Sequence, residues 1–251
     1  MKVLIYVPLA PMTPRIYARS MTSILSMQWR EPCEIVFGRN DMDKWPGHNQ
    51  GYLDVTEKYN RAREMTLSGG YDALMTIESD MIIPKLALER LSRVEADVAY
   101  GLYVSRHGKL QWLAFDKITD KPYYGSSLSD DPINSREAWG QVVETVGVGM
   151  GCTFIHRHVL EKIEFRCPDP AVANDWFFSL DCQARGFVQK HDCGVVCGHI
   201  QGGPDPKILW PSEDGKYRVE FFGEPEPIKV TDSYSVNVGG STPTMIFGVQ
   251  P

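Results

Sequence analysis

Residues 54–94 constrain this chain more than any other stretch. They read helix, turn, short apolar strand, acidic cluster, helix: DVTEKYNRAREMTLSGG, then YDALMTIESD, then MIIPKLALERLSRV. Asp54 suits a helix N-cap, with Glu57 three residues on as in a capping box. Val55, Tyr59, Ala62 and Met65 recur at helical spacing, and Glu57, Lys58, Arg61 and Glu64 take the opposite face. Gly69 and Gly70 end that helix, because glycine tolerates the left-handed C-terminal conformation. Residues 73–77 form a buried-strand candidate. Pro84 suits the first turn of the next helix, whose apolar stripe is Ala87, Leu88, Leu91 and Val94. Alternating strands and helices imply a parallel sheet. Ligands of such sheets bind beyond the carboxyl ends of the strands, which is where Glu78 and Asp80 fall.

Two acids one residue apart point the same way if the strand continues to Asp80. Side by side they repel unless a cation joins them. Hard cations such as Mg²⁺ or Mn²⁺ favour carboxylate oxygens and bridge to phosphate. Taken alone, Glu78-Ser79-Asp80 reads first as a solvated strand end. Its setting, between a strand and a proline-started helix, moves the reading toward function.

The length of 251 residues suits one large domain, alone or with a small extension. A net charge of −6 argues against general nucleic-acid binding. An acidic chain that handles a phosphorylated ligand needs a local cation, either metal or arginine. No apolar run approaches the roughly 20 residues that span a bilayer. MKVLIYVPLAP lacks a small-residue cleavage site and reads as a first strand, so the expected location is cytoplasmic. The six cysteines are too sparse for a disulfide framework. His191, Cys193, Cys197 and His199 invite a zinc reading, but on an extended strand residues 191 and 199 lie roughly 26 Å apart at about 3.3 Å each. One tetrahedral ion does not collect all four.

In chain order, residues 2–9 form a strand closed by Pro8 and Pro11. Thr13 and Pro14 open a helix. Residues 33–37 form a second strand, with Asn40 and Asp41 at its carboxyl end, and residues 42–53 read as a loop. Residues 97–104 are another strand. Residues 105–140 show no clear period and read as a partly mobile insert over the sheet, carrying Trp112, Phe115, Tyr123, Tyr124 and Trp139. The bend of Gly147, Gly149, Met150 and Gly151 lacks dinucleotide spacing and precedes a strand, so it reads as a bulge or a close approach to a ligand. A strand over 152–155 and a short helix over 158–163 follow. Asn174-Asp175-Trp176 opens a further helix. There the free N–H groups favour an ionised Asp175, as a plain cap or as a general base. His199 follows a strand and, as a neutral imidazole, would complete a carboxylate metal site. From residue 204 the composition shifts to Pro and Gly, with strand-like runs at 217–222 and 228–236.

In this order, Tyr59-Asn60-Arg61-Ala62-Arg63, GGYDALMTIESDM, GVGMGCTFIHRHVLEKI, NDWFF…ARGF and GHI resemble the GT-A glycosyltransferases, particularly family 2-like members. The resemblance covers roughly residues 1–200. Glu78-Ser79-Asp80 stands at the family's DxD motif, with Glu78 in place of the first Asp. Asn174-Asp175-Trp176 stands at the acidic pair that carries the base, with Asn174 in place of the first acid. The GHI of His199 stands at a metal-binding His.

The resemblance implies an α/β Rossmann-like GT-A fold: a mixed, mostly parallel sheet flanked by helices. Residues 1–203 would be the catalytic domain. The resemblance does not cover the 105–140 insert or the tail: the insert reads, from its composition, as lying over the site, and the shift at residue 204 marks 204–251 as a small β-rich extension and tail. The resemblance further implies Mn²⁺ or Mg²⁺ held by Asp80, His199 and Glu78, neutralising the departing diphosphate. A UDP- or GDP-sugar donor would lie near Pro8, Asn40, Asp41, Asn60 and Glu78. An acceptor hydroxyl, on a glycan, protein or small molecule, would lie near Trp176, Gly149, Met150 and Gly151, with Asp175 as base and inversion at the anomeric carbon. The competing readings are a sugar-phosphate nucleotidyltransferase, a non-catalytic nucleotide-sugar or carbohydrate-binding module, and a metal-dependent hydrolase. The first usually carries a glycine-rich signature after its first strand, and PLAPMTPR has none. The last lacks a His-x-His or H-E-x-x-H cluster.

Overall fold

A computed structural model of the chain describes residues 1–38, 51–121, 124–169 and 173–222, and the backbone of a strand over residues 244–247. Asn40, Asp41, Tyr123 and the run at 228–236 lie outside the described residues.

The chain runs β1 (Val3–Pro8), α1 (Pro14–Leu25), β2 (Cys33–Gly38), α2 (Gly51–Ser68), β3 (Ala73–Ile77), β4 (Met81–Ile82), α3 (Ala87–Leu91) and β5 (Val98–Leu102). Then come β6 (Ala114–Ile118), β7 (Gly125–Ser127), α4 (Pro132–Ala138), β8 (Val142–Glu144), β9 (Val146–Gly147), β10 (Cys152–His156), α5 (Arg157–Leu160) and α6 (Asn174–Ala184). It closes with β11 (Gln189–Val196), β12 (Gly198–Gln201), β13 (Lys207–Pro211), β14 (Tyr217–Phe221) and β15 (Thr244–Phe247).

The largest sheet has the order β15-β2-β1-β3-β10-β5-β11-β8. β15, β2, β1, β3, β5 and β11 run one way, and β10 and β8 run against them. This is the mixed, mostly parallel α/β sheet expected. Its central strands β1, β3, β5 and β10 are buried on both faces because helices cover both. Along β1 the alternation is clean. Val3, Ile5 and Val7 pack with Ile24 of α1 and with Ala87, Leu88 and Leu91 of α3. Leu4 and Tyr6 pack with Tyr59 and Ala62 of α2, Val159 and Leu160 of α5, and Phe178 of α6.

A second sheet, β14-β13-β12-β4, is antiparallel and crosses the boundary drawn at residue 203 by the hairpin β12–β13. Its least legible member is β4. The sequence reading started a helix there at Pro84, whereas Met81–Ile82 pairs with Gly198–His199 and the helix begins only at Ala87. A two-residue strand has no periodicity to detect.

Three further expectations change. α2 begins at Gly51, so Asp54 is no cap but lies in the first turn, paired with Lys58. Lys58, assigned to the solvent face, is buried and donates to the Leu9 carbonyl at 3.1 Å. The described part of the 105–140 insert is packed. Trp112 is fully buried against Trp139, and β6 pairs with both β7 and β9.

Candidate metal and transfer site

β3 stops at Ile77, so Glu78 and Asp80 are not aligned by strand alternation. They converge through a turn in which the Met81 N–H donates to the Glu78 carbonyl at 3.1 Å. Ser79 inside this turn accepts from the Ala10 N–H at 3.1 Å, which ties the end of β1 to the end of β3. The chain then enters β4. Its pairing with β12, reinforced by the Ile200 N–H donating to the Asp80 carbonyl at 2.8 Å, carries His199 to the acids.

The candidate ligand atoms of Glu78, Asp80 and His199 all lie within 4.8 Å of one another. Opposed oxygens around Mg²⁺ sit about 4.2 Å apart at 2.1 Å per bond, so a contraction of a few tenths of an ångström closes the set. The Nδ1 atom of His199 lies 2.7 Å from the Val104 carbonyl, which only accepts, so this nitrogen carries the proton. Nε2 therefore presents a lone pair. It is buried with no hydrogen-bond partner and lies 3.6 Å from Asp80 Oδ2. Burial, helped by the nearby Arg106, pushes the His199 pKa down to about 4, so the ring stays neutral near pH 7. A neutral imidazole, oriented by a carbonyl behind it and bare in front, is the donor a divalent cation requires. The chemistry of the donor set fits such an ion.

The surroundings hold these side chains in place. Tyr59 donates to Glu78 Oε1 at 3.3 Å. The Tyr103 ring meets His199 edge-on at 5.5 Å, and its hydroxyl accepts from the Gly151 N–H at 2.9 Å. This explains the glycine bend: a Cβ at Gly149 would sit 1.9 Å from the Tyr103 hydroxyl, and one at Gly151 would meet the same ring at 2.8 Å. Gly149 and Gly151, expected at the acceptor together with Met150, lie against the Tyr103 phenol, and the Met150 carbonyl accepts from Thr76 at 2.9 Å.

Asp175 lies in the first turn of α6, partly exposed. Desolvation raises its pKa to about 6, against the Trp176 N–H, which donates to Oδ1 at 2.7 Å. The Glu78 pKa is also raised, first by desolvation, and the Asp175 charge adds to the effect. The two carboxylates thus share one electrostatic neighbourhood. Asn174, beside the candidate base, is buried with its Nδ2 donor unpartnered.

Other expected positions have different roles. Trp176 is 3% exposed, donates to the Thr119 carbonyl at 3.0 Å and packs edge-on to Phe115, so it joins α6 to the insert and offers no platform for a sugar. Asn60 clasps Phe165, donating to its carbonyl at 2.8 Å and accepting from its N–H at 2.9 Å. Pro8 ends β1 opposite Gly38, its ring buried. Among the described residues, the group of three or more metal-ligating side chains is Glu78, Asp80 and His199, and the cysteines there are free.

The sequence reading missed Arg106. Its Nη1 donates to Asp80 Oδ2, and it lies 3.5 Å from the Ile200 carbonyl. The rule that singled out Glu78 applies to Arg106 too, since it follows the carboxyl end of β5. It fell instead inside the segment read as a variable insert.

No protein-family model and no curated protein matches this sequence. Among solved structures, the chain is similar to A197 from STIV, with a TM-score of 0.53 and 19% identity over 91% of this chain and 98% of that one. S. aureus TarS 1-349 in complex with UDP follows at a TM-score of 0.43 and 14% identity, over 76% of this chain and 57% of that one. CMP:2-keto-3-deoxy-manno-octonic acid synthetase complexed with CTP gives 0.44 and 11%, over 76% and 89%. The first likeness is one of fold. Among the described residues, no helix is long and apolar enough to cross a membrane.

Proposed function

We propose that the protein is a metal-dependent glycosyltransferase of GT-A type, moving a sugar from a nucleoside-diphosphate donor to an acceptor hydroxyl. The observation that carries this reading is the buried, unpartnered Nε2 of His199, facing two carboxylates at the carboxyl end of a parallel strand. Glu78, Asp80 and His199 would hold Mn²⁺ or Mg²⁺. When bound, such an ion supplies positive charge to the leaving diphosphate.

The chain's own groups do the remaining work. The turn holding Ser79, laced to Ala10, keeps the acids at the rim where a diphosphate would lie. Asp175 takes the proton of the acceptor hydroxyl. The hydroxyl oxygen then bonds to the anomeric carbon as the bond from that carbon to the diphosphate oxygen breaks on the opposite face, inverting the centre. A base works best with a pKa near the working pH, and a value of about 6 keeps Asp175 mostly ionised at pH 7 while leaving it basic enough to accept.

The test is a panel of UDP-, GDP- and CDP-sugars and of nucleoside triphosphates with a sugar, each with and without Mn²⁺ and assayed for pyrophosphate as well. It reads thermal stabilisation and release of nucleoside diphosphate. Mn²⁺-dependent stabilisation by one nucleotide class supports the reading. Stabilisation by a nucleoside triphosphate with release of pyrophosphate would replace it with nucleotidyl transfer.

A further inference from the structure

Asp80 has two claimants for one oxygen. Its Oδ2 accepts from Arg106 Nη1, and the same atom lies 3.6 Å from the bare Nε2 of His199, where an ion held by both residues would sit. Two cations on one carboxylate oxygen repel. The two members of the existing ion pair differ in freedom. The Asp80 side chain is 4% exposed and fixed in its turn, whereas that of Arg106 is 31% exposed and borders solvent. The Arg106 backbone is anchored, because Gln201 Nε2 donates to its carbonyl at 3.0 Å. Besides Asp80 the guanidinium meets the exposed His107 ring, Nε donating to Nε2 at 3.1 Å, and the Ile200 carbonyl at 3.5 Å, bonds that water can replace as it turns outward. A planar guanidinium also matches phosphate oxygens two at a time.

We propose that Arg106 and a divalent cation exchange on Asp80: Arg106 holds Oδ2 while the site lacks nucleotide, and yields it to the cation as the guanidinium turns to the donor's diphosphate. This rests on the nucleoside-diphosphate reading of the site. The exchange makes cation and nucleotide mutually dependent. The cation alone has to displace Arg106 into solvent. The nucleotide alone has to draw Arg106 from a carboxylate then left buried without a partner. Together each removes the other's penalty, and linkage requires the effect to be reciprocal.

The experiment measures Mn²⁺ affinity by electron paramagnetic resonance of the free ion, for the full chain and its Arg106→Ala, Arg106→Gln and Asp80→Asn variants, with and without UDP, GDP or CDP. Melting midpoints check that each variant is folded, and Arg106→Gln keeps most of the side chain if Arg106→Ala does not fold. The expected result is Mn²⁺ binding about tenfold tighter in either Arg106 variant than in the parent when no nucleotide is present. One nucleotide should tighten Mn²⁺ binding in the parent and do so several-fold less in the Arg106 variants. Asp80→Asn should lose the Mn²⁺ site. Unchanged or weaker Mn²⁺ binding in the Arg106 variants overturns the exchange while leaving the donor reading intact. Tighter Mn²⁺ binding in those variants, with no nucleotide affecting any protein, overturns the assigned destination of the guanidinium and the donor reading with it.

Discussion

Two histidines on successive strands differ in how fully their ring nitrogens are used. His191 on β11 and His199 on β12 are both buried, and desolvation keeps both neutral, with pKa values pushed down to about 3 and about 4. Their difference is unmet valence. His191 Nδ1 pairs with the Thr145 hydroxyl at 2.7 Å, and its ring stacks on Tyr100 at 5.0 Å. His199 satisfies Nδ1 on Val104 and leaves Nε2 facing Asp80 with nothing bound to it. A buried polar atom without a partner costs about 1–3 kcal/mol. His199 keeps such an atom beside two acids, and this is the feature on which the proposed metal site rests. Burial alone does not separate the two rings.

The largest effect expected is at Asp175, the acid whose pKa desolvation raises beside this site. Asp175→Asn should lower transfer by about 10³-fold, the range of a lost general base, and should raise stability. The sign follows from the pKa values. The folded value of about 6 lies above the ordinary 3.8, so the unfolded chain gives up its proton first. Stability therefore falls as pH rises from about 4 to about 6. Above that window the charged carboxylate costs about 1–3 kcal/mol. The Trp176 N–H keeps an oxygen acceptor in the variant. A calorimetric scan at pH 7 should show a higher melting midpoint for Asp175→Asn, and the gain should vanish near pH 4. In the parent, kcat/KM should drop about tenfold per pH unit below about 6. A flat profile there, or a variant that keeps its activity, removes Asp175 as the base.

The second effect sets the two histidines against each other. His191→Leu strips the buried Thr145 hydroxyl of its partner and removes the ring stacked on Tyr100, and should destabilise by about 1–3 kcal/mol, with Mn²⁺ affinity unchanged. His199→Leu removes an orphaned nitrogen while freeing only the Val104 carbonyl. Its stability should stay within about 1 kcal/mol, and Mn²⁺ binding should weaken by at least tenfold. Urea denaturation and Mn²⁺ titration of both proteins check this crossing. If both lose stability equally and neither changes Mn²⁺ binding, the distinction drawn from unmet valence is wrong.

What could be read from the sequence follows the length scale of each signal. The strands read at 73–77 and 152–155 and the helix opening at Asn174 are apolar runs or amphipathic periods long enough to stand out. The acids at the end of β3 follow from a general rule of parallel sheets. The means of assembly was not legible. Met81–Ile82 is too short to have a pattern, yet its pairing with Gly198–His199 brings positions 80 and 199 together across more than a hundred residues. Trp176 shows the same limit from the other side. An aromatic residue beside a candidate base reads as a sugar platform or as core, and only packing against Phe115 decides it.

The smallest effect concerns Asn60, where the sequence resemblance and the local geometry point different ways. As a donor contact, Asn60→Ala would weaken nucleotide binding and leave the fold nearly untouched. As the clasp on Phe165 it has both ends of its amide engaged, at 2.8 and 2.9 Å, and it fixes the segment packed under Tyr59, whose hydroxyl in turn meets Glu78. Asn60→Ala should then lower stability by about 1–2 kcal/mol through two unpaired backbone groups. The stabilisation produced by a saturating nucleotide should match that of the parent, because mass action depends on affinity and not on the starting midpoint. Thermal-shift titration of the variant with the nucleotide that binds the parent best separates the two roles. A lost ligand shift at an unchanged midpoint would return Asn60 to the donor pocket and would mean that the clasp opens when nucleotide enters.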